Sequence, residues 1–190
     1  MDKNIDVENF YDQMEYLLST TTEIVNFTRA ILKGKGEIDA VDRPGKKPEI
    51  IRANYSNIIG SIIDGIENSK QRGAESIAVI CKTADQSSKI YRELSKEIDV
   101  NLITKADRKF KEGIVIIPSY LVKGLEFDSV IVYLDLENNY NRENERKLLY
   151  TICTRALHQL YIYYTDKLTP FVTNKNEDLY LHYKLNKLFK

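Results

Sequence analysis

The chain has 190 residues, 43% of them hydrophobic and 29% charged, which supplies apolar side chain for one principal core and argues against a disordered polymer. Lys plus Arg and Asp plus Glu total 28 each, so the formal net charge of zero excludes a global attraction for polyanions; any nucleic-acid contact must be local. No apolar run reaches the roughly 18 residues that span a bilayer, and the first residues are polar and acidic, so a soluble cytoplasmic protein without membrane contact is expected.

In chain order, residues 1–13 read as a polar lead-in and Met14 to Leu18 as a short strand. Thr20 followed by Glu23 has the form of a capping box opening a helix, with Ile24, Phe27 and Ile31 on one face and Gly34 and Gly36 stopping it. Residues 33–47 are without periodicity and read as an exposed loop, followed by a strand at Glu49 to Ala53. Ile58, Ile59, Ile62, Ile63 and Ile66 fall on one helical stripe that ends near Gly73.

Ser76 to Lys82 is a mostly apolar run of the kind buried on both faces of a parallel sheet; Ala84 to Glu97 is helical, and Val100 to Thr104 and Gly113 to Pro118 are strands. Ser129 to Leu134 is the strongest strand signal, the charged residues Asn144 to Lys147 open a helix through Ala156, and Leu160 to Tyr164 is a further strand. Beyond Pro170 a terminal amphipathic helix is expected near Glu177 to Leu188, which makes 166–190 a helical extension of a domain spanning 14–165. Strands alternating with helices predict an α/β fold with helices on both faces of a mainly parallel sheet.

Cys81 and Cys153 lie in apolar segments with no second Cys or His at ligand spacing, so they read as buried reduced thiols and no metal site is expected. His158 reads as a helix C-terminal capping side chain, and Tyr161, Tyr163 and Tyr164 as packing residues. Asp135 reads as an ordinary strand terminus, and the charges from Arg142 to Lys147 as a solvated helix start.

Two segments carry chemistry. Ile117-Pro118-Ser119-Tyr120-Leu121-Val122-Lys123-Gly124-Leu125-Glu126-Phe127-Asp128 joins two strands, and its composition fits a polar-ligand site and a solvated turn alike. Leu148-Leu149-Tyr150-Thr151-Ile152-Cys153-Thr154-Arg155-Ala156 buries one helical face and leaves Arg155 outside it, where a guanidinium either meets the helix dipole or binds a phosphate bidentately.

Together these segments resemble motifs V and VI of UvrD/Rep-type superfamily 1 DNA helicases, and the Ile-Pro-Ser-Tyr lead-in resembles the HelD branch. The resemblance implies a second, C-terminal RecA-like domain of three layers. In it Arg155 would be the arginine finger on the ATP γ-phosphate, Glu126 would receive the ribose, and Gly124 would permit close backbone approach. Ser119, Tyr120 and Lys123 would contact the nucleic-acid strand or couple it to ATP.

The motif IV arginine of the family is Ser19 here, in Leu18-Ser19-Thr20-Thr21-Thr22-Glu23-Ile24, and a hydroxyl has neither the charge nor the fork of a guanidinium. No Gly-x-x-x-x-Gly-Lys-Ser/Thr occurs, so the chain holds half of an ATPase site and is expected to be inactive alone. The resemblance implies ATP with Mg2+, bound mainly by a preceding P-loop domain, and single-stranded DNA or RNA as the track. RNA polymerase is implied as a docking partner in the alternative reading, a catalytically weakened interaction module. The short stretch between the Ser76 and Gly113 strands has no room for the large accessory subdomain of UvrD and Rep.

Overall fold

A computed structural model describes residues 20–32, 43–107, 113–172 and 174–184. Seven strands form one sheet in the order β3-β4-β2-β5-β6-β1-β7, with every pairing parallel. The strands are β1 (Glu49–Arg52), β2 (Ile77–Cys81), β3 (Asn101–Leu102), β4 (Ile114–Pro118), β5 (Phe127–Leu134), β6 (Ala156–Tyr164) and β7 (Leu181–Lys184). The helices are α1 (Thr22–Ile31), α2 (Ile58–Gln71), α3 (Ala84–Leu94) and α4 (Arg146–Cys153).

Parallel strands covered on both sides need apolar residues of both parities, and β2 shows this directly. Ala78 and Ile80 join a core cluster with α1 and α4, while Ile77, Val79 and Cys81 join a second cluster with α2 and α3. β5 divides the same way, with Val130, Val132 and Leu134 on the first side and Ile131 and Tyr133 on the second. The result is a three-layer α/β domain, as the strand and helix alternation predicts. Each fully buried Ile, Val or Leu in these strands contributes about 1.5–3 kcal/mol.

The isoleucine stripe of α2 lies as read, with Ile58, Ile62 and Ile66 buried. Small residues beside it let the helix approach the sheet: a Cβ on Gly65 would come within 2.6 Å of the Tyr163 hydroxyl oxygen. Tyr161, Tyr163 and Tyr164 are packing residues, and Cys81 and Cys153 are buried free thiols. Burial pushes the Cys81 thiol up to about 12, so it is a packing group rather than a nucleophile.

Four expectations are corrected. The capping box at Thr20 and Glu23 is not formed: Thr21 is the N-cap without a side-chain bond, and the Glu23 carboxylate instead accepts from the Gly45 N–H at 2.6 Å. Leu181–Lys184 is a strand rather than part of a helix, paired with β1, whose open edge offers it backbone partners. β6 starts at Ala156, not Leu160. Finally, α4 ends at Cys153, so His158 lies within β6 and faces the Asp128 Oδ1 at 3.9 Å rather than capping a helix. The expected strand at Met14 to Leu18, Ser19, and residues 33–42 of the expected loop lie outside the described residues.

Candidate nucleotide and strand edges of the sheet

In an all-parallel sheet every strand starts at one edge and ends at the other, so the direction of the strands sorts the candidate residues. Ser119 and Tyr120 follow β4 and lie at the C-terminal edge, whereas Glu126 and Arg155 immediately precede β5 and β6 and lie at the N-terminal edge. The connection from Ser119 to Glu126 crosses the sheet on the α1/α4 face, held by buried Val122 and by Leu121 and Leu125 packed on the same core. Gly124, at φ +76°, makes the turn that returns the chain to β5, a backbone state costly for any residue with a Cβ.

At the N-terminal edge the backbones of the two segments are tied together: the Phe127 N–H donates to the Arg155 carbonyl at 2.9 Å. The Arg155 guanidinium donates to the carbonyls of Thr151 (3.2 Å) and Leu125 (3.3 Å) and to the Thr154 hydroxyl (3.2 Å). All three acceptors are neutral, and among the described residues no carboxylate pairs with this half-buried cation. Its positive charge is therefore oriented but not neutralised, a condition that favours an incoming anion. Exposed Glu126 stands next to Leu125, within the same turn.

A register slip builds this edge. Phe127 pairs with Ala156 and Ser129 with Gln159, so Leu157 and His158 oppose Asp128 alone. The Leu157 carbonyl accepts the Thr21 N–H at 3.2 Å, which brings the segment before α1 to the same edge. Asp128 is turned away to clasp β2, where its Oδ2 accepts from the N–H groups of Glu75 and Ser76 and from the Ser76 hydroxyl at 2.9–3.0 Å. Burial alone would raise the Asp128 pKa, but these bonds outweigh it and hold the carboxyl below its ordinary value, with His158 adding to the effect.

The C-terminal edge is organised differently. Ser119 is buried and its hydroxyl donates to the Lys82 carbonyl at 2.8 Å, while Tyr120 is 47% exposed with the Lys105 Nζ 5.1 Å from its ring centroid. A cleft of about 210 Å³ opens beside them, lined by Ala84, Ser88, Thr104, Lys105, Pro118 and Tyr120. Lys123 is exposed on the crossing segment between the two edges. Asp135 closes the turn after β5 by accepting from the N–H groups of Glu137 and Asn138 and from the Gln86 amide, as suits a strand terminus.

Lys82 and Lys105 were not among the sequence candidates, and Glu145, read as part of a solvated helix start, is instead paired with Lys82. Lys105 was detectable as a cation directly after a strand; Lys82 and Glu145 are 63 residues apart, and nothing local announces their contact. Among the described residues no group of three or more His, Cys, Asp or Glu could hold a metal ion, and no helix is long and apolar enough to cross a membrane.

An all-parallel three-layer α/β domain whose sequence has no phosphate-cradling loop fits the RecA-like fold of helicase C-terminal domains. Comparison with known proteins agrees. A family described as the UvrD-like helicase C-terminal domain matches residues 113–163. The C-terminal domain of a possible DNA helicase from Lactobacillus plantarum WCFS1 is 30% identical, with 86% of this chain and 96% of that one covered at a TM-score of 0.70. The chain therefore belongs to the UvrD-like helicase C-terminal domain family.

Domain 2 of the DEAD-box helicase Mss116p, solved bound to an RNA duplex, shares the fold at 15% identity and a TM-score of 0.52; 75% of this chain and 65% of that one are covered. The Arterivirus nonstructural protein 10 helicase, solved with DNA, shares it at 12% identity and a TM-score of 0.50, and the chain, 89% covered, spans 39% of that protein. No curated protein sequence matches.

Proposed function

We propose that the chain is the half of an ATP-driven nucleic-acid motor that carries the arginine finger. In this reading Arg155 meets the γ-phosphate of an ATP held by a preceding P-loop domain. The observation that carries it is the Arg155 guanidinium, oriented by three neutral oxygens beside Leu125 and without a carboxylate partner among the described residues. An oriented, uncompensated cation at a domain edge stabilises negative charge that develops during phosphoryl transfer. In the same reading Glu126, one residue from Leu125, receives the ribose hydroxyls, and Gly124 lets the backbone come close. ATP is the substrate, and Mg2+ would be held by the P-loop domain.

Ser119, Tyr120 and Lys123 are the strand-contacting candidates on the same reading, with Tyr120 exposed enough to stack on a base. The track is single-stranded DNA or RNA, and the protein works in the cytoplasm. Between Cys81 and Ile114 the described residues hold only α3 and β3, which supports the HelD-like branch over one with an accessory subdomain. A second reading, a docking module on RNA polymerase or another partner, is favoured by Ser19 in the place of the motif IV arginine.

The test is ATP hydrolysis by the parent protein with and without single-stranded nucleic acid, comparing wild type with Arg155→Ala. Stimulated hydrolysis that collapses in the variant supports the motor; no hydrolysis by the wild type supports the docking module.

A further inference from the structure

Lys82 follows five buried residues of β2 and emerges at the C-terminal edge, where an ammonium needs partners. Its Nζ donates to the Glu145 Oε1 and to the Asn139 carbonyl, each at 2.7 Å, and lies 5.2 Å from the Tyr140 ring centroid. The two side chains of the ion pair are 19% and 17% exposed, so water screens them far less than it would a surface pair. The other Glu145 oxygen accepts the N–H groups of Asn141 and Arg142 at 3.0 and 3.1 Å, which fixes the chain where it enters α4. Burial alone would raise the Glu145 pKa, but the Lys82 bond and the two N–H groups outweigh it and hold the carboxyl below its ordinary value.

The backbone of Lys82 faces the other way. Its carbonyl accepts the Ser119 hydroxyl, at the start of the segment that crosses the sheet to Glu126. One residue thus touches both the loop after β4 and Glu145, the residue before α4, and α4 ends two residues before Arg155. Leu149, Ile152 and Cys153 are buried, so this short helix is held firmly against the core. The link from Ser119 through Lys82 to Glu145 thus leads, by way of this helix, toward the opposite edge, where Arg155 lies two residues beyond the helix end.

We infer that Lys82 and Glu145 are a positioning pair that couples occupancy of the strand edge to the placement of Arg155. The inference rests on the motor reading above, and neither residue touches nucleotide or strand in it. The contacts Ser119–Lys82 and Lys82–Glu145 reach the residue before α4, and the helix itself carries the path on toward Arg155.

The experiment is a double-mutant cycle in the full-length parent protein with Lys82→Met, Glu145→Gln and the two combined. Hydrolysis of ATP is read with and without a single-stranded DNA oligonucleotide. We expect hydrolysis without the strand to stay within about twofold of wild type while the stimulation by the strand falls about tenfold, the scale of an ordinary coupling energy. The double variant should be no worse than either single one, because both remove the same link.

Stimulation intact in both single variants overturns the inference and leaves the motor reading standing, as does an equal fall with and without the strand, the mark of a merely structural pair. A wild type that is unstimulated or indifferent to Arg155→Ala overturns both.

Discussion

The two edges of the sheet hold their cations in opposite ways. At the N-terminal edge Arg155 is oriented by carbonyls and a hydroxyl and keeps its charge open, whereas at the C-terminal edge Lys82 is closed off by a carboxylate at 2.7 Å. Both side chains are only partly exposed, so burial does not distinguish them; the formal charge of the acceptors does. A cation with neutral partners is poised for a ligand, and a cation with a carboxylate partner is part of the frame. Burial, in contrast, separates Tyr120, exposed beside a lysine, from Tyr140, fully buried with the Lys82 ammonium over its ring.

That contrast can be broken most directly at Arg155. Arg155→Ala should lower strand-stimulated ATP hydrolysis by the parent protein on the order of 10³-fold or more, the scale of an arginine finger, while the thermal midpoint of the protein stays near that of wild type. A large fall in the midpoint instead would place Arg155 in the frame with Lys82. Next in size is Phe127→Ala, which empties a fully buried site at the start of β5 and should cost about 3–5 kcal/mol in denaturant unfolding. It tests whether the N-terminal edge depends on the core beneath it.

Gly124→Val is smaller. A β-branched residue at φ +76° should cost about 1–2 kcal/mol in the same assay, with nothing nearby to clash, so that a larger loss would point to a role of the turn beyond its backbone. The smallest effect is that of pH. Glu145 and Asp128 are held below their ordinary values of 4.5 and 3.8, so their contribution to stability is full above those values and is lost as pH falls through the lower folded-state values. Unfolding titrations at descending pH should show part of this acid loss missing in Glu145→Gln.

Much of the fold was legible because its strongest signals are local. The apolar runs of β2, β4 and β5 and the four-residue isoleucine spacing of α2 state their burial in the sequence, and the two motif segments state the order of the site. What escaped is held by distant partners. β7 pairs with β1 along its edge although its own residues are all exposed, so the four-residue alternation of Leu181 and Tyr183 with His182 and Lys184 was masked by the longer helical pattern expected there. Thr20 and Glu23 carry a valid capping signal, but Glu23 is taken by an N–H 22 residues away. The charges from Arg142 to Lys147 were read as a solvated helix start, yet one of them, Glu145, is joined to Lys82 across 63 residues. The sorting of the candidate residues onto two edges likewise follows from the parallel sheet and not from their spacing.

The register slip opposite Asp128 has a further consequence. In an uninterrupted strand Phe127 and Ser129 would share a face, but here Phe127 enters the core beneath α1 and α4 while the Ser129 hydroxyl bonds Ser69 of α2 on the opposite side. The slip resets the odd and even count of β5 between its start and its body, while β6 keeps its count, with Ala156 and Leu160 on the same core. Phe127, at the edge that carries Glu126 and Arg155, is therefore seated in the core by the slip rather than by the alternation of the strand body, so this edge is packed independently of the residues that follow it in β5.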